Sequence, residues 1–181
     1  MRIIAGKAGR LKIQVPRGVV RPSTDFVRQA MFSILGEVVV GAKVLDLFAG
    51  SGAIGLEALS RGAESCRFVD ESRHSVAAVE ANLKKARLDG GRAVRADAAA
   101  WLARERGRYD LVFADPPYAR AGEPDFIAAM LAGPDLRRVV ADGGWFIAEG
   151  PGEQDAPAGD GWKLHDRRTY SGTAVLLYRP A

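Results

Sequence analysis

The stretch VLDLFAGSGAIGLEA, residues 44–58, decides how the rest of the chain reads. Val44–Phe48 is a short apolar run with one acid, Asp46. Gly50, Gly52 and Gly55 follow in the spacing G-x-G-x-x-G, and an alanine- and leucine-rich segment begins at once. A strand, a tight glycine turn and a helix in that order place a ligand over the turn, at the helix N-terminus. Asp70 lies twenty positions past Gly50, at the end of the next apolar run, Cys66–Val69. That is the position of an acid that accepts ribose hydroxyls.

Outward from this turn the pattern alternates. Strands are predicted at 44–48, 66–69, 92–95, 109–114 and 144–149. Helices are predicted at 53–61, 72–87 and 97–105, with one or two over 124–141. Repeated strand–helix units imply a parallel sheet covered on both faces. Gly150–Gly161 is a loop, and 163–168 and 173–179 lack an intervening helix, so they are expected as an antiparallel hairpin at the sheet edge. Upstream, Arg2–Ala5 and Leu11–Val15 flank Gly6–Gly9 and read as a hairpin. Arg21–Asp25 then opens a helix whose spacing buries Phe26, Val27, Ala30, Met31, Ile34 and Leu35. The expected division is a basic extension, 1–40, and a catalytic domain, 41–181.

The 181 residues suit one domain, with 48% hydrophobic content and a net charge of +4. Residues 1–28 carry +6, leaving −2 for the rest. A basic arm on a near-neutral body points to a polyanionic partner, and equally to a solvated face. No apolar run is long enough for a membrane span, and MRIIAGKAGR lacks a signal peptide's apolar core. Cys66 has no second cysteine to pair with, and His74 and His165 lie far apart in sequence. A cytoplasmic monomer without a metal is therefore expected.

Asp46 separates two ligand classes. An acid beneath the glycine turn would repel a dinucleotide's pyrophosphate. It suits S-adenosylmethionine, which carries a sulfonium and an ammonium and no phosphate. Asp97 closes the third strand, where a carboxylate can take the adenine amino group or cap the next helix.

The second decisive stretch is FADPPY, residues 113–118. Two prolines end the strand because they cannot donate to a sheet ladder. An exocyclic amine on a nucleobase is a weak nucleophile, its lone pair being delocalised into the ring. Asp115 and the carbonyl of Pro116 can accept its two N–H bonds, Pro117 helps to freeze the backbone, and Tyr118 offers a stacking face. The alternative is a tight turn carrying a surface tyrosine.

Residues 44–58 resemble motif I of class I S-adenosylmethionine-dependent methyltransferases, and Asp115-Pro-Pro-Tyr118 resembles their [DN]PP[FYW] motif. With Arg21-Pro-Ser-Thr-Asp25, Val27-Arg28 and Leu56–Arg61, the chain from 2 to 179 resembles the RsmD family of 16S rRNA guanine-N2 methyltransferases. The resemblance implies a Rossmann-like α/β fold with a mostly parallel seven-stranded sheet. It implies a cofactor site at Asp46, Phe48, Gly50, Ser51, Gly52, Asp70, Asp97 and Ala98. It implies RNA contacts from Lys7, Arg10, Lys12, Arg21 and Arg28, with the small ribosomal subunit or its assembly intermediate as partner. Phe26, Gln29 and Ser171-Gly172 depart from the family pattern. Competing readings are an amino methyltransferase acting on another RNA, on DNA or on a protein amide, and a non-catalytic RNA-binding assembly factor. An NAD-dependent oxidoreductase is disfavoured by Asp46.

Overall fold

Val44, Leu45, Asp46 and Leu47 are all buried, so this strand is covered on both faces, as its unbroken apolar character predicts. The computed structural model describes residues 1–16, 24–117 and 125–181. In chain order the elements are α1 (Asp25–Leu35), a 3-10 turn (Gly36–Val39), β1 (Lys43–Leu47), α2 (Ala53–Ser60), β2 (Ser65–Asp70), α3 (Arg73–Ala86), β3 (Gly91–Arg95) and α4 (Ala98–Arg104). Then come β4 (Tyr109–Ala114), α5 (Phe126–Ala132), α6 (Pro134–Val139), β5 (Val140–Pro151), β6 (Trp162–Tyr170) and β7 (Thr173–Pro180). The sheet order is β3-β2-β1-β4-β5-β7-β6. The first five strands are parallel, and β7 runs antiparallel to both β5 and β6. This is the expected Rossmann-like α/β sheet.

Two details differ from the expected layout. The later strand of the C-terminal hairpin, β7, sits inside the sheet, and only β6 is at the edge; its Ala174–Tyr178 core is buried accordingly. β5 begins at Val140, because α6 ends directly in the strand.

Side chains pack in two layers. Val44, Phe68, Phe113, Ile147 and Leu177 point to one face, where α1 and α2 contribute Met31, Phe32 and Leu56. Leu45, Leu47, Val112, Phe146 and Leu176 point to the other, with Leu102, Ile127 and Leu131. The helix α1 is rotated from the expected face. Val27, Arg28, Met31, Phe32 and Leu35 are buried, whereas Phe26 is 62% exposed. The buried set keeps an i, i+4 stripe that includes Phe32, which the apolar spacing did not single out.

The N-terminal segment forms the expected hairpin in short form: the Ile3 N–H donates to the Leu11 carbonyl at 3.0 Å, Arg10 to Ile3 at 2.8 Å and Ile13 to Met1 at 3.2 Å. It forms a single antiparallel bridge, Arg2 with Lys12. Other amides of the segment are spent on the body of the protein. Ile4 and Ala5 donate to the Glu57 carboxylate at 2.6 and 3.0 Å. Ala8 donates to Ser60 Oγ and Gln14 to Asn82 Oδ1. Ile3 and Ile13 enter the α1 layer of the core. Satisfying these donors with buried side chains of α2 and α3 docks the hairpin on the body.

Candidate active site

The site forms where β1, β2, β3, β4 and β5 end, the carboxyl edge at which open α/β sheets bind ligands. Gly50 and Gly52 adopt φ of +55° and +78°, which turns the chain from β1 into α2. A Cβ on Gly52 would lie 2.9 Å from Val79 Cγ2, so both conformation and space require glycine there. Phe48, also at positive φ (59°), begins the turn, and its ring meets Phe126 at 5.5 Å between centroids.

The three predicted cofactor acids are all near the turn or the strand ends, in three different environments. Asp46 is 2% exposed, and its Oδ2 accepts the Gly55 N–H at 3.0 Å. Burial pushes its carboxyl well above the usual range; the Gly55 bond opposes that, and neighbouring Asp115 and Asp70 reinforce it. Asp70 binds two backbone amides, Gly50 through Oδ2 and Ser72 through Oδ1, each at 2.8 Å. It thereby ties the end of β2 to the glycine turn. Asp97 is exposed and caps α4 by accepting from Ala100 N–H at 2.8 Å, while Ala98 behind it is buried. Ser51 is buried, with its Oγ 3.3 Å from Met1 Sδ. An open concavity between Asp97 and Ser72 is lined by Glu71, Arg95 and Ala96 as well.

This donor set fits S-adenosylmethionine. Carboxylates within β1, at the end of β2 and just beyond β3 suit a cation and two ribose hydroxyls, and the acid-raising environment of Asp46 would be relieved by positive charge. A pyrophosphate would meet the same acids as like charge.

Strand pairing places Asp115, which follows Ala114, beside this turn. Leu47 is in register with Ala114, so Phe48 and Asp115 follow at the same edge. Pro116 is buried and Pro117 exposed. Both prolines line a cavity with Phe126, Glu149, Gly150 and Pro151. Tyr118 lies outside the described residues, as does Arg21.

The predicted RNA contacts divide. Lys7, Arg10 and Lys12 are exposed. Arg28 is 0% exposed and is corrected: it is a buried residue of α1, not a surface cation. Its Nη2 donates to Asp25 Oδ1 at 2.6 Å and to the Arg2 carbonyl at 2.9 Å. In place of an RNA phosphate, the Asp25 carboxylate holds it. Two further residues escaped notice. Glu57 anchors the basic arm from within α2. Glu149 puts an acid inside the buried run 144–150 of β5.

Among the described residues no group of three or more His, Cys, Asp or Glu side chains is placed to hold a metal ion, and no helix is long and apolar enough to cross a membrane.

Fold and site together define a class I S-adenosylmethionine-dependent methyltransferase. Residues 1–179 match the family described as Conserved hypothetical protein 95, and the chain belongs to this, the RsmD family. It is 33% identical to the "Ribosomal RNA small subunit methyltransferase D" of Escherichia coli (strain K12), with 99% of this chain and 89% of that protein covered. It is 36% identical to YlbH of Bacillus subtilis (strain 168), covering 99% of this chain and 98% of that one. The solved structure of yhhF from Escherichia coli superposes with a TM-score of 0.85 at 34% identity, covering 99% and 97% of the two chains.

Proposed function

We propose that the protein methylates the exocyclic N2 amine of a guanine in 16S rRNA, within the small ribosomal subunit or its assembly intermediate. The observation that carries this reading is the adjacency of Asp115-Pro116-Pro117 to the glycine turn, through the Leu47–Ala114 register. S-adenosylmethionine supplies a methyl group made electrophilic by its sulfonium. Asp46, Phe48, Gly50, Ser51, Gly52, Asp70, Asp97 and Ala98 hold and orient it. Asp115 and the Pro116 carbonyl accept the two amine N–H bonds, which aligns the nitrogen and frees its lone pair. Tyr118 stacks on the extruded base. The amine proton is released after transfer, so Asp115 acts by position and charge and need not be a strong base.

Residues 1–40 act as the RNA-contact extension of a catalytic unit, 41–181. Lys7, Arg10, Lys12 and Arg21 supply phosphate affinity. The protein works as a cytoplasmic monomer without a metal. Mapping methylated nucleotides in rRNA from cells with and without the protein tests the reading. One N2-methylguanosine of 16S rRNA should vanish without it. Loss of a mark elsewhere, or of none, refutes the assignment.

A further inference from the structure

Glu149 lies near the end of β5, the strand next to the one that leads into Asp115. β4 and β5 are parallel, with Phe113 opposite Ile147 and Ala114 opposite Ala148. Asp115 follows Ala114 and Glu149 follows Ala148, so the two come directly after this last in-register pair. Alternation along β5 puts Glu149 on the Ile147 face. Glu149 is 4% exposed and lines the same cavity as Pro116 and Pro117. The buried Arg28 guanidinium of α1 lies on that face too and attracts Glu149 electrostatically. Glu149 already has a partner within the protein. A carboxylate offers about four acceptor sites, which leaves capacity for another donor.

The chemistry of the base completes the picture. Guanine presents two neighbouring donors on its Watson–Crick edge, N1–H and N2–H. Adenine and cytosine present an amine beside a bare ring-nitrogen acceptor. Two carboxylates side by side match the first edge and repel the second. We propose that Glu149 is a specificity residue that accepts the guanine N1–H while Asp115 accepts an N2–H. This rests on the guanine reading above and extends it to the way the base is chosen.

The test uses RNA substrate carrying either guanosine or 2-aminopurine riboside at the mapped target. Both have the 2-amine, but 2-aminopurine has a lone pair in place of N1–H. The wild-type protein should transfer methyl to guanosine faster by roughly 10- to 100-fold, the scale of one well-made base contact. In Glu149→Gln the side-chain amide can donate to that lone pair, so the preference should collapse to near unity or invert. Glu149→Asp keeps the charge and should keep the preference at a lower rate. Binding of S-adenosylhomocysteine, measured calorimetrically, reports folding of each variant. An unchanged guanosine preference in Glu149→Gln, or a lost one in Glu149→Asp, overturns the proposal. Failure of the wild type on both RNAs would instead refute the guanine assignment itself.

Discussion

Asp46 Oδ2 accepts the backbone N–H of Gly55 at 3.0 Å, so an acid inside β1 is fixed to the first turn of α2 across the glycine loop. Because Asp46 is buried, its carboxyl is raised above the ordinary value of about 3.9, and the folded state holds this proton more tightly than the unfolded chain. Its stabilising contribution is complete below the unfolded value and is lost as pH rises through the folded one. Asp46→Asn keeps an oxygen for Gly55 and has nothing to ionise. Without cofactor, the variant's melting temperature relative to wild type should therefore climb from pH 4 to pH 8. Calorimetry should also show weaker S-adenosylhomocysteine binding, by about tenfold or more, since a bond to a charged group contributes about 1.5–3 kcal/mol. A melting advantage largest at pH 4 would contradict this.

Gly55 illustrates how closely α2 approaches the sheet. An added Cβ would meet Phe68 Cε1 at 2.3 Å and Cys66 Sγ at 2.5 Å. Gly55→Ala should cost at least the about 1–3 kcal/mol typical of overpacking, read by urea denaturation, even though alanine is the better helix former.

The basic residues of the arm should separate into two kinds. Removing Lys7, Arg10 and Lys12 together should flatten the salt dependence of RNA binding, each lost phosphate contact lowering the slope by roughly 0.7–0.9. Stability should change little, as all three side chains are exposed. Arg28→Ala should do the reverse, costing near the lower end of the about 3–5 kcal/mol of a broken buried pair, because Asp25 is 40% exposed. Salt-dependent binding and urea titration of both variants distinguish these outcomes.

Much of this site is readable in the linear order of residues, for reasons that are local. The strand–turn–helix around Gly50 and Gly52 and the proline stop after Asp115 depend on backbone rules that act over a few positions. Arg28 was not readable, since an i, i+3 pair with Asp25 looks alike on a surface and in a core; only the packing of α1 on the sheet removes it from water. The hairpin of the arm was readable in its spacing, but its docking was not, because Glu57, Ser60 and Asn82 take its other amides from more than fifty positions away. The interior place of β7 likewise follows from its pairing with β5, a contact that short-range pattern does not encode.

Single-turnover methyl transfer to guanosine-containing RNA, compared for wild type, Asp115→Ala and Asp115→Asn, probes the chemistry most directly. Asp115→Ala removes a charged acceptor and misplaces the amine, so the rate should fall at least about a hundredfold, roughly 2.7 kcal/mol. Asp115→Asn, which still offers an oxygen, should fall less. S-adenosylhomocysteine affinity should persist in both variants, since Asp46 and Asp70 lie on other strands. A near-wild-type rate in Asp115→Ala would make Asp115 a mere turn former and contradict its role in holding the amine.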